Sequence, residues 1–146
     1  MLGGQYFKRR ASQKYYRVKI RFGDHERILR AAVDTGNALT DPISGLPAAA
    51  VRIDALCGVL PQTICDSVRK SPIGAFYTLP DAYRARARLL PVETVTGGGM
   101  LLAFRADEFC ISPEEGEKRA WEERSVLIAL TASTTEDAEV LLPAGI

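Results

Sequence analysis

Asp34-Thr35-Gly36 holds the clearest chemical potential in this chain. The small apolar run Ala31-Ala32-Val33 leads straight into Asp34, so the carboxylate is expected to emerge at the end of a buried strand. Gly36 permits the tight backbone needed to bring the loop against another loop. Thr35 offers a hydroxyl able to hydrogen-bond across to such a partner. Two carboxylates held within about 3 Å cannot both ionise, so one keeps a proton while the other is charged. The charged member can take a proton from water and the protonated member can give one to a peptide carbonyl. Amide hydrolysis then proceeds by general acid–base catalysis, without a metal or a covalent intermediate. The 146 residues contain a single Asp-Thr-Gly and no Asp-Ser-Gly. The second carboxylate is therefore expected from another copy, since a two-fold dimer sets identical loops face to face on its axis.

On this reading Asp34 is the catalytic residue, Thr35, Gly36 and Asn37 support its loop, and the first partner is a second copy of the chain. Gly97-Gly98-Gly99, set between two extended apolar runs, fits a hairpin with a flexible tip that closes over an extended peptide as a flap. Taken singly, each motif also has a plain reading, a structural turn for Asp-Thr-Gly and a loose surface hairpin for the glycines. Their order along the chain is what joins them.

Metal and cofactor chemistry find no support, and the expected count of each is none. His25 is the lone histidine, and it stands in Gly23-Asp24-His25-Glu26, where a solvated turn residue is expected. Cys57, Cys65 and Cys110 are odd in number and share no ligand spacing, which favours a reducing cytosol. Cys57 and Cys110 lie in apolar runs and read as buried small hydrophobes.

The elements that must position these groups follow from periodicity. Tyr15 to Phe22 alternates apolar and basic residues, as a half-buried strand does, Gly23-Asp24 is the turn, and His25 to Val33 returns as a second strand. Asp41 to Pro47 is dense in turn formers and reads as a loop, with Ala48 to Arg52 resuming as a strand. Ile53 to Lys70 shifts to helical turns, with Pro61 at a first helical position and Ile64 and Val68 on one face, and Ser71-Pro72-Ile73-Gly74 breaks the pattern. Arg88 to Val95 is a strand whose Pro91 implies an edge or a bulge. Met100 to Phe104 is extended, Ser112 to Glu117 is a polar loop, and Ser125 to Leu130 is a buried strand. Thr134 reads as a cap for a helix running to Leu142, with Glu136 and Asp137 in its first turn. The fold class is mostly β, with one or two short helices.

Composition is that of a soluble globular domain, at 47% hydrophobic and 25% charged, and the net charge of +1 gives no case for nucleic acid. Seven Lys or Arg and no acid fall in residues 1–23. Residues 1–14 therefore read as a basic arm, whether a solvated tail, a nucleic-acid arm or a segment lying against anionic headgroups, and 15–146 as the domain. No stretch approaches the roughly 18 apolar residues of a membrane span.

The segment Ala32-Val33-Asp34-Thr35-Gly36-Asn37-Ala38-Leu39-Thr40-Asp41-Pro42-Ile43-Ser44-Gly45-Leu46-Pro47 resembles the sporulation sigma-E factor processing peptidases of spore-forming bacteria. Gly99 to Arg105, Asp107, Val126-Leu127-Ile128 and Val140 to Pro143 are also similar, so the resemblance spans Tyr15 to Pro143. It implies a retropepsin-like half-barrel completed by homodimerisation, normally preceded by a membrane-spanning region. It further implies a place in the mother-cell membrane at the sporulation septum, with the present chain as the cytoplasmic part. The implied substrate is the pro-form of sigma-E, which loses an N-terminal segment, and the implied trigger is an activator protein from the forespore. The basic residues Lys8 to Lys14 would then be juxtamembrane. One departure stands out: the family has glycine after the Leu-Ile pair, where this chain has Ala129, so lower stability or a shifted Asp34 loop is expected. The competing functional readings are a catalytically silent domain of the same fold that dimerises or binds extended peptide, and a juxtamembrane tether.

Overall fold

A computed structural model describes residues 14–94, 97–114, 120–134 and 137–146. The alternation at the start of the chain folds as its period dictates. Strand β1 (Tyr15–Phe22) buries Val18, Ile20 and Phe22 and turns Arg17, Lys19 and Arg21 to the other face. Gly23, at φ 59°, makes the tight turn into β2 (His25–Val33), which pairs with β1 along its whole length. His25 is exposed beside this turn.

The remaining strands are β3 (Ala48–Arg52), β4 (Ala87–Thr94), β5 (Gly97–Phe104), β6 (Glu108–Pro113), β7 (Glu122–Glu123), β8 (Leu127–Thr131) and β9 (Val140–Leu142). All nine form one sheet in the order β4-β5-β8-β3-β9-β2-β1-β6-β7. Phe22 of β1 and Phe104 of β5 are separated in that order by β8, β3, β9 and β2. Their rings nevertheless meet edge to face at 6.4 Å, so the sheet curls over its core as a half-barrel. This is the mostly β, retropepsin-like class expected from the sequence.

Among the described residues the helical parts are a 3-10 turn (Ile53–Leu56) and three short α-helices, α1 (Gln62–Lys70), α2 (Pro72–Tyr77) and α3 (Asp81–Arg84). Ile64 and Val68 of α1 point into the main core, as their spacing predicts, together with Cys65. Ser71-Pro72 starts α2 instead of only ending α1. The Ser71 hydroxyl accepts from the Gly74 N–H, and proline is pre-set for the first turn.

Two clusters of apolar side chains lie on opposite faces of the sheet. The main one includes Val51, Leu102, Phe104, Ile128 and Leu130. The smaller one joins Ala48, Leu90, Ala103, Leu127 and Ala129, covered by Leu39, Leu46 and Leu101. The alternation is visible within β8, where Ile128 and Leu130 face one cluster and Leu127 and Ala129 the other. Ala129, fully buried, thus sits in a layer where Ala48 and Ala103 are equally small.

Three expectations are corrected. Among the described residues the tail forms no helix: Val140–Leu142 is β9, parallel to β2 and antiparallel to β3. The bare apolar triplet Val-Leu-Leu fills a slot between two buried strands, and that pairing overrides the cap-like Thr134, whose hydroxyl donates to the Ala138 carbonyl. Ser112 belongs to β6, where it pairs with Arg17 of β1, and is 1% exposed, because the β1–β6 ladder runs on to Pro113. Cys57 is half-buried, whereas Cys65 and Cys110 are buried. The basic arm up to residue 13, the hairpin tip at 95–96 and Glu136 lie outside the described residues.

Candidate active site

Asp34 is held by its backbone before its side chain does anything. Its N–H donates to the Leu142 carbonyl at 2.9 Å, continuing the β2–β9 ladder past Val33, and its carbonyl accepts from the Asn37 N–H at 2.9 Å. The chain therefore leaves the sheet at a fixed point and turns at once. The Gly36 N–H donates to Asp34 Oδ1 at 2.9 Å. A Cβ on Gly36 would lie 3.3 Å from that same oxygen, so glycine here answers to close approach.

Asn37 ties the far side of the turn. Its Nδ2 donates to the Ala48 carbonyl at 3.0 Å and to the Leu141 carbonyl at 3.1 Å. Its Oδ1 accepts from the Leu39 N–H at 3.0 Å. One amide side chain thus joins the Asp34 loop to β3 and β9 together, using both donors and an acceptor. Thr35 is exposed and forms no hydrogen bond among the described residues, which leaves its hydroxyl available to another chain.

The segment beyond Asn37 is pinned by Asp41, whose carboxylate is buried. It accepts from the Ile43 N–H at 3.0 Å, the Ser44 N–H at 3.3 Å and the Ser44 hydroxyl at 2.7 Å. These bonds, the hydroxyl first among them, hold its pKa below the ordinary carboxylate value despite burial. Asp41 stands among turn formers, as its neighbours in sequence imply, but it is buried, which a turn-rich stretch does not announce. The signal was present in Asp41-Pro42-Ile43-Ser44, an acid followed by a hydroxyl three residues on.

Asp34, Gly36, Asn37, Ala38 and Leu39 line one side of a cleft of about 520 Å³, with Ala50 and Leu141 on its floor strands. Pro91, Val92 and Glu93 of β4 form the opposing wall. The β4–β5 hairpin therefore stands over the Asp34 loop, with Val92 opposite Gly99, Glu93 opposite Gly98 and Thr94 opposite Gly97. Gly98 and Gly99 line an adjoining cleft of about 670 Å³ with Ile73 and Met100, while Gly97 adopts φ 124° just after the tip. The glycines thus supply the hairpin's backbone freedom, and the side chains facing Asp34 come from β4. Glu93, not singled out in the sequence, is the second carboxylate lining the Asp34 cleft. It forms no ion pair among the described residues.

A pinned carboxylate beside an open cleft walled by a hairpin can hold an extended peptide and polarise a water. Residues 3–145 match the family model for the sporulation factor SpoIIGA, a peptidase family. The chain belongs to that family. SpoIIGA-family membership makes it a peptidase connected with sporulation, which agrees with the resemblance carried by residues 32–47. Comparison with curated proteins and with solved structures returned no match. Among the described residues no helix is long and apolar enough to cross a membrane, and no cluster of potential metal ligands forms.

Proposed function

We propose that this SpoIIGA-family chain is an aspartic endopeptidase that removes the N-terminal pro-segment of a sporulation sigma factor precursor, using Asp34 from each of two copies. The observation that supports it most is the anchoring of Asp34. Its amide is fixed by Leu142, its turn is tied by Asn37, and its carboxylate borders a cleft under a hairpin. In the paired site, the ionised Asp34 takes a proton as water adds to the scissile carbonyl, and the protonated Asp34 gives its proton to the carbonyl oxygen. The tetrahedral diol then collapses, the C–N bond breaks, and the leaving amine takes a proton as the pair returns to its starting state. The exposed Thr35 hydroxyl and the glycine-rich hairpin are suited to the partner contact and to closure over substrate.

Attachment to the mother-cell membrane through a preceding segment, and stimulation by a forespore protein, belong to the same proposal. So does a basic arm lying against the lipid surface.

Co-expression with the sigma factor precursor, followed by sequencing of the new N-terminus, tests the assignment. Asp34→Asn is expected to abolish cleavage with fold and self-association intact, and unchanged cleavage overturns it. Activity per chain is expected to fall steeply on dilution below the dimer dissociation constant. Glu93→Gln retains activity if the pair is made between copies and loses it if both carboxylates come from one chain.

A further inference from the structure

Asp41 is the one carboxylate among the described residues that is buried, at 1% exposure, and the proposed chemistry does not use it. Its local bonds to Ile43 and Ser44 shape the turn. A further contact leaves the turn altogether: Arg88 of β4 places Nε 3.5 Å from Asp41 Oδ2. That Nε is buried and makes no hydrogen bond, while Nη1 donates to the Ala87 carbonyl at 2.8 Å. The guanidinium is thus positioned by β4 and faces Asp41 as its charge partner.

The location of the pair gives it meaning. Among the described residues β4 is an edge strand whose one ladder partner is β5, with α2 packed beside the hairpin through Ile73, so few contacts fix its distance from the Asp34 loop. Arg88, Leu90 and Val92 share one face of β4 by alternation. Leu90 is buried against the cluster that Leu39 and Leu46 cover, and Val92 lines the Asp34 cleft. On the loop side, Asp41 lies two residues past Leu39, which lines the same cleft, and its N–H donates to the Leu46 carbonyl. The Asp41–Arg88 contact therefore links the two walls of the cleft at its base.

We infer that Asp41 and Arg88 are a positioning pair that fixes the hairpin at a set distance over the Asp34 loop. Neither lines the Asp34 cleft. The consequence for catalysis rests on the peptidase reading above, but the consequence for the hairpin does not.

Amide hydrogen exchange by mass spectrometry tests this without substrate. Arg88→Met, which keeps the apolar stem, is expected to speed exchange in peptides covering β4 and β5 by about tenfold, leaving β1 and β2 unchanged. Arg88→Lys, which keeps the charge, is expected to restore most of the protection. Lys19→Met, which removes a 3.1 Å ion pair to Glu108 at the other end of the sheet, is expected to leave the hairpin as it is. In cleavage assays Arg88→Met is expected to raise KM with kcat little changed. Hairpin exchange that is unaltered, or that rises equally across the whole sheet, overturns the inference. If Asp34→Asn still cleaves, the peptidase mechanism falls while the exchange result continues to decide this pair.

Discussion

Asn37 spans two strands with one nitrogen: its Nδ2 lies 3.0 Å from the Ala48 carbonyl of β3 and 3.1 Å from the Leu141 carbonyl of β9. The neighbouring Asp34 inherits its position from that bridge. Asn37→Ala leaves both carbonyls without their donor, at a cost of about 1–3 kcal/mol. Urea denaturation should report that loss. Cleavage should fall by more than the unfolded fraction explains, because the surviving folded chains carry a loosened turn.

Gly36→Ala tests the close approach on the other side of the aspartate. The new methyl would sit 3.3 Å from Asp34 Oδ1 and press on the oxygen that accepts the Gly36 N–H. Thermal stability should change little, since Gly36 is exposed. Cleavage should fall by about tenfold or more, because small misplacements of a reacting group are costly.

Asp41 gives the fold a pH dependence with a definite sign. Its carboxyl lies below the ordinary 3.8 in the folded chain, through the Ser44 hydroxyl, the two backbone N–H groups and Arg88. A depressed carboxylate adds stability that is fully present above the unfolded pKa and is lost as pH falls through the folded one. Denaturation midpoints measured downward from pH 5 should therefore drop beginning near pH 4. Asp41→Asn should start less stable and show a shallower drop over that range.

Phe104 probes the curl of the sheet. It is fully buried and meets Phe22 and Tyr83 edge to face at 6.4 and 6.1 Å. Phe104→Ala should cost about 3–5 kcal/mol by loss of transfer energy and the cavity left behind. Calorimetry should show the fall in midpoint, while Phe104→Leu, which fills most of the space, should recover much of it.

These residues also show what could be read from the sequence. Tyr15 to Phe22 and His25 to Val33 were legible residue by residue, because alternation and a Gly-Asp turn are local signals that tertiary contacts do not overturn. Asp34 was legible for the same reason, standing where an apolar strand meets a glycine turn. β9 was not, because three apolar residues carry no period, and their strand state comes from β2 and β3, which are distant in the chain. Asp41 and Glu93 escaped for opposite reasons. A turn-rich loop hid a buried acid, and an edge strand hid which of its side chains would line the cleft.

The insertion of β9 between β2 and β3 bears on when the chain becomes competent. Asn37 and Leu141 stand 104 residues apart, and the Leu142 carbonyl that fixes Asp34 follows one residue later. During synthesis Asp34 emerges well before Leu141 and Leu142, so its loop lacks these anchors until β9 has been made. The long-range pairing makes this closure slow relative to the β1–β2 hairpin. The geometry of the Asp34 turn is therefore set by the docking of β9 between β2 and β3 and not by the β1–β2 hairpin alone.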